Sequence, residues 1–230
     1  MKLLSLFLLI TLCGCNNKTS AGETGANQNT PLAYTLPAPK TDGNTSVEKA
    51  LQNRRSQRNF QEKPLSKEQL SQLLWAACGI TEPNRKLRTT PSAGATYPLE
   101  IYAVIGNVRG IEAGLYRYIP HGHRIERVIA ADIRNALNQA TIGQRMVNAA
   151  PLTIVYTAVF ERTTGRYGAR GEKYVWIEAG HSAQNVYLQA EALNLGTCAI
   201  GAFTDEKVSA VLRLPPDEKP LYLMPVGYFD

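Results

Sequence analysis

The 230-residue chain is 44% hydrophobic and 19% charged, enough apolar material for one globular unit with a real core, and its composition is neither low-complexity nor coiled-coil. Its 25 Lys and Arg against 19 Asp and Glu leave a formal charge of +6. That excess is modest and includes no long basic tract interleaved with aromatics, which argues against nucleic acid as a partner.

At the amino terminus, Lys2 precedes an apolar run from Leu3 to Leu12, too short to span a bilayer as a mature helix and shaped like a secretory leader. It ends in Leu12-Cys13-Gly14-Cys15, which resembles a bacterial lipobox. Residues 1–15 are therefore expected to be a lipoprotein signal peptide, with Cys15 the lipidated end of an exported, membrane-anchored protein. Residues 16–45 are rich in Asn, Thr, Gly and Pro and are expected to form a flexible tether. Cys78 and Cys198 remain, far apart and without metal-like spacing. They read as two buried small hydrophobes, although an exported setting leaves a disulfide between them open.

No internal repeat is visible, and residues 46–230 read as one domain. Ser46 caps a helix expected to continue through Arg58, before Pro64. Ser66-Lys67-Glu68-Gln69 is a capping box, after which Leu70, Leu73, Leu74 and Ala77 repeat at helical spacing until Gly79. Strands are expected at 101–105, 114–118, 152–156 and 221–226, each rich in aliphatic and aromatic residues and bounded by Gly or Pro. Helices are expected near 131–149, at 205–212 and from about 174 to 195, closed by Gly196. This mixture of hairpins and helices is α+β. The long helix carries Val175, Ile177, Ala179, Gly180, Ala183, Val186, Tyr187, Ala190 and Leu193 on nearly every side, so its burial calls for a subunit interface.

Gly180-His181-Ser182-Ala183-Gln184 echoes a nucleophile elbow, but Gln184 replaces the second Gly and all three His precede Ser182 in the chain, against the order of that fold. His181 and Ser182 are instead expected on the buried helix with satisfied hydrogen bonds. His121-Gly122-His123 has no third ligand at a metal-like spacing and reads as a turn, so no metal site is expected. Neither a GxGxxG after a strand nor a P-loop is present.

A third constellation joins the cluster Arg54, Arg55, Ser56 and Arg58 to two segments of small residues, 91–98 and 196–203. On a helix, Arg54 and Arg58 stand at i,i+4 and Arg55 and Arg58 at i,i+3, so three guanidinium groups converge and call for an anion such as phosphate. The small-residue segments expose backbone to a flat heteroaromatic ring. Phosphate plus planar ring suggests flavin mononucleotide (FMN).

LPAPK, RRSQRNF, LLWAACGIT, RTTPSAGATYPLEIYAV, GLYRY, ERTTGRYGARGEKY, EAGHSAQNVYLQAEALNLG and AIGAF, in this order from about Leu36 to Gly227, resemble the nitroreductase-type flavoproteins and more closely their SagB-type branch, associated with azoline oxidation in modified peptides. The resemblance implies a central, mainly antiparallel sheet flanked by helices, with the long helix at a homodimer interface. It also implies an FMN-dependent oxidoreductase acting on a small-molecule or peptide substrate. Arg54, Ser56 and Arg58 match the phosphate and ribityl contacts, with Arg55 contributing its backbone. Pro91, Ser92, Ala93 and Gly94 match the segment that meets the isoalloxazine ring, usually from the partner subunit, and Ala199, Ile200 and Gly201 the segment whose backbone lies at flavin N5.

Two departures stand out. The chain ends at Gly227-Tyr228-Phe229-Asp230, without the basic residues many nitroreductases place there. A Lys-Tyr pair implicated in proton transfer in the azoline-oxidising relatives aligns with Arg166-Tyr167; Arg holds its proton, which leaves Tyr167 as the catalytic acid or base. The segment from Glu161 to Lys173, with Arg162, Arg166 and Arg170 among three glycines, reads either as a mobile cationic cover over the flavin or as a solvated loop. A lipid-tethered module that binds a flavin or another flat or phosphate-bearing ligand without turnover is the alternative function.

Overall fold

The computed structural model describes residues 32–229. The leader, Cys15 and the first half of the expected tether lie outside the described residues.

Seven strands form one sheet in the order β1-β6-β5-β4-β7-β9-β8: β1 (Ala33–Thr35), β4 (Leu99–Ile105), β5 (Gly114–Ile119), β6 (Arg124–Ile129), β7 (Leu152–Val159), β8 (Gly196–Thr197) and β9 (Glu218–Gly227). Every neighbouring pair in it is antiparallel. A small hairpin, β2 (Ile80–Glu82) with β3 (Leu87–Arg88), stands apart.

Alternation along β4 explains why the central strands read as unbroken apolar runs. Leu99, Ile101, Ala103 and Ile105 enter one core with α2 (Lys67–Cys78) and α6 (Arg170–Ala192). Tyr102 and Val104 enter a second core with α3 (Arg134–Ala140), α4 (Met146–Ala149) and α7 (Asp205–Leu212). With helices on both faces, both pleats need apolar side chains. Cys78 belongs to the first core and Cys198 to the second, so the sheet stands between them, and both thiols are free.

The capping box forms as expected: Ser66 Oγ accepts the Gln69 N–H and Gln69 Oε1 accepts the Ser66 N–H, both part-buried. Leu70, Leu73, Leu74 and Ala77 are all fully buried. Of the boundaries that differ from expectation, two bear on the site and its surroundings. The helix α1 (Val47–Asn53) stops well before Arg58. The second half of the expected tether belongs to the fold: β1 pairs with β6, Leu36 is buried, and the Lys40 N–H donates to Gln72 Oε1 at 2.8 Å. His123 fastens this strap, its Nε2 lying 2.6 Å from Ser71 Oγ and 3.0 Å from the Pro37 carbonyl, with Tyr118 Oη at 2.8 Å from Nδ1.

Candidate functional site

After Asn53 the chain turns extended, because Ser56 bridges to Thr197 and the Gln57 N–H donates to the Thr197 carbonyl at 2.9 Å. The helical convergence expected of the three arginines is therefore wrong, and an alternation replaces it. Extended backbone places residues two apart on the same side. Arg54 and Ser56 both reach Tyr187 on α6: the Arg54 guanidinium carbon is 5.2 Å from the ring centroid and Ser56 Oγ is 3.2 Å from Tyr187 Oη. The positive charge of Arg58 is felt at the Cys198 thiol, where it opposes the upward push of burial. Arg55 turns away and caps α1, its Nη1 donating to the carbonyls of Gln52 at 3.0 Å and Arg54 at 2.8 Å. Among the described residues no carboxylate pairs with Arg54 or Arg58.

The segment after β8 lies beside this strand. The Ala199 N–H donates to Tyr187 Oη at 2.8 Å, so a single phenol touches both segments. Ile200 is locked to β9, its N–H on the Leu223 carbonyl at 2.8 Å and its carbonyl taking the Leu223 N–H at 2.9 Å. Its own N–H is therefore engaged. The Gly201 N–H has no protein acceptor among the described residues, and a Cβ added there would meet only Tyr222, at 3.9 Å. Gly201, Gly180, Trp176 and Tyr222 line a cleft of about 320 Å³. Of residues 199–201, Gly201 is thus the one whose backbone N–H is open to a ligand.

Pro91, Ser92, Ala93 and Gly94 lie elsewhere. Gly94 has φ +59, and a Cβ there would stand 2.5 Å from Tyr167 Oη and 2.9 Å from Arg166 Nη1. Arg166 Nη1 donates to the Gly94 carbonyl at 3.0 Å. The Ser92 hydroxyl accepts the Tyr97 N–H at 2.9 Å. The buried Glu178 carboxyl has its pKa raised by burial to about 7, against the opposing influence of Ser92 and Arg88. The expected cover or loop is neither: residues 161–167 form α5 (Glu161–Tyr167), and Gly168 turns the chain into α6. Helix α5 is tied down by Arg162, which donates to the Tyr97 carbonyl at 3.0 Å and pairs with Glu100 at 2.7 Å, and by Thr163, 2.8 Å from Thr96. The Tyr167 ring packs edge-on against Tyr174, centroids 5.2 Å apart.

Helix α6 separates the two clusters. Glu178 faces the 91–94 segment and Tyr187 faces Arg54 and Ala199. Nine positions at about 3.6 residues per turn make two and a half turns, so these side chains point in opposite directions. One chain brings Arg54, Ser56 and Arg58 to Ala199, Ile200 and Gly201. It does not bring Pro91, Ser92, Ala93, Gly94 or Tyr167 to them.

The chain matches the Nitroreductase family over residues 51–228. It belongs to that family. MJ1384 of Methanocaldococcus jannaschii, a protein named as a nitroreductase, is 46% identical over 181 residues, covering 79% of this chain and 90% of its own. The microcin B17-processing protein McbC of Escherichia coli is 27% identical over 177 residues, covering 74% of this chain and 64% of McbC, consistent with the SagB-like branch. A crystal structure of a Ralstonia eutropha JMP134 protein named as a nitroreductase superposes with a TM-score of 0.77 at 31% identity, covering 87% of this chain and 94% of that one.

Within this nitroreductase fold, two residues escape a reading of the sequence. Tyr187 sits in an apolar helical pattern and counts there as packing material. Glu178 carries the one usable signal, an acid flanked by Ile177 and Ala179 on a helix judged buried. Ser182 is as expected, its hydroxyl donating to the Ala77 carbonyl at 2.5 Å, whereas His181 is exposed.

Proposed function

We propose that this oxidoreductase-family protein is an FMN-dependent enzyme that works as a homodimer, each flavin lying between one chain's Arg54, Ser56, Arg58 and Ala199–Gly201 surface and the other chain's Pro91–Gly94 segment. The observation that carries this reading is that Tyr187 joins Arg54 and Ser56 to Ala199, two residues before the unengaged backbone donor at Gly201. Arginine forks and a hydroxyl suit a terminal phosphate, and an open glycine N–H suits a ring nitrogen, so the residues present fit FMN. The cofactor, when bound, supplies hydride transfer.

The chain's own groups do the rest. Arg54 and Arg58 hold the phosphate, with Ser56 as a further donor. Gly201 directs its N–H at the reactive end of the ring, needing no side chain there, while Ile200 keeps the loop in place through Leu223. The Ser92 hydroxyl is turned to the Tyr97 N–H, and the Pro91–Gly94 segment contributes backbone and shape. Tyr167, beside Gly94, holds or gives a proton at Oη; Arg166, always charged, orients the Gly94 carbonyl. Trp176, Tyr222 and Phe203 around the cleft exclude water from a small-molecule or peptide substrate. Likeness to a protein that processes microcin B17 supports the peptide.

The lipobox-like end of the leader supports an exported enzyme anchored through Cys15, facing a compartment poor in soluble nicotinamide nucleotides. A membrane redox carrier is then the electron donor. Anaerobic titration of the purified protein with NADH, NADPH and a quinol, followed by its flavin spectrum, tests all of this at once. Bleaching by the quinol and reoxidation by an acceptor is the expected result. A colourless protein that ignores added FMN refutes the cofactor, and a bound flavin that no donor reduces leaves only a binding module.

A further inference from the structure

The proposed mechanism gives the Tyr187 hydroxyl no chemical task, yet that hydroxyl touches both the arginine strand and the 199–201 segment. It accepts the Ala199 N–H at 2.8 Å and lies 3.2 Å from Ser56 Oγ. A phenol carries one proton besides its accepting lone pairs. In the free protein the Ser56 and Tyr187 hydroxyls can each donate to the other. An anion between Arg54 and Arg58 removes that freedom, because a phosphoryl oxygen only accepts: the Ser56 proton turns to it, and the Tyr187 proton turns to Ser56 Oγ.

We propose that Tyr187 is a positioning residue for phosphate recognition, driving a directed donor chain from the Ala199 N–H through Tyr187 Oη–H and Ser56 Oγ–H to a terminal phosphoryl group. Each bond polarises the next, so the serine becomes a stronger donor than it is alone. Arg54, laid against the Tyr187 ring, is fixed beside the same oxygen. The chain of bonds also joins the phosphate end of the site to the loop that carries Gly201. Selectivity for a phosphorylated flavin over the same ring without phosphate therefore resides partly in a phenol on α6. The inference rests on the FMN reading above.

The test compares FMN and riboflavin binding to the full chain as wild type, Tyr187→Phe, Ser56→Ala and the double variant. Tyr187→Phe should weaken FMN about tenfold, because the Ser56 donor to the charged phosphate loses the bond that orients and polarises it, while riboflavin changes less than about twofold. On a Ser56→Ala background the same change should add nothing to the FMN-to-riboflavin ratio. Equal loss of both ligands makes Tyr187 a mere anchor for the loop and overturns the proposal, as does an unchanged ratio in Tyr187→Phe or a further fall in the double variant. Wild type that binds neither flavin refutes the FMN reading instead. If Tyr187→Phe does not fold, Ser56→Ala against Ser56→Thr decides: the relay requires the ratio to fall with Ala and survive with Thr, and a ratio kept by Ala sinks it.

Discussion

Two serines, on opposite sides of α6, summarise how differently the two halves of the proposed site are built. Ser56 is exposed, sits on an extended strand and has its proton free to turn towards a ligand. Ser92 accepts the Tyr97 N–H within its own turn and counteracts the burial of Glu178, so it acts inside the protein. The arginine side is a solvated surface awaiting an anion. The 91–94 side is a clamped wall, pinned by Arg166 at one carbonyl and by a helix that Arg162 and Thr163 hold down. Under the proposed function, specific charge recognition belongs to the first and fixed shape to the second.

The most severe way to break the arginine side is to replace Arg54 and Arg58 together with Ala. FMN affinity should fall at least about a hundredfold, two charge-assisted contacts at roughly 1.5 kcal/mol each, with the melting temperature of the flavin-free protein little changed. Mixing that variant with one damaged only on the 91–94 side should restore flavin binding to one of the two sites of a mixed dimer; no restoration in a demonstrated mixed dimer means that the halves do not come from different chains.

Gly94→Ala attacks the wall. The added methyl at φ +59 runs into Tyr167 and Arg166, and a stability loss of about 2 kcal/mol is expected by chemical denaturation. An unaffected midpoint would show the wall to be softer than its contacts suggest.

The smallest effect concerns Glu178. Its folded pKa, raised to about 7, means that ionisation is disfavoured in the native state, so its cost is absent below the ordinary carboxylate pKa, grows as pH rises towards 7 and is constant above. Glu178→Gln should therefore stabilise the protein by on the order of 1–2 kcal/mol at about pH 8.5 and by almost nothing near pH 4. A gain independent of pH would show that the carboxyl does not titrate as its burial requires.

The sequence by itself determined the elements whose cause is local. The capping box started α2, the 3.6-residue repeat of Leu70, Leu73, Leu74 and Ala77 set its buried face, and 205–212 was read to its ends. The central strands were legible because packing on both faces makes them continuously apolar. The residues of the arginine cluster and the small-residue segments could also be named from residue type and family resemblance. Their arrangement could not. Asn53 ends α1 because Thr197, far along the chain in β8, captures Ser56, and nothing in residues 54–58 announces it. Residues 33–40 look too polar to order themselves and do so by borrowing β6 and Gln72. Tyr187 looks like any apolar helical position until Ser56 and Ala199 arrive at its hydroxyl. Local patterns specify which backbone each segment prefers, but a hydrogen bond between distant segments depends on coordinates that only the folded chain supplies, and only the tertiary structure decided that α6 would stand between the two halves of the site.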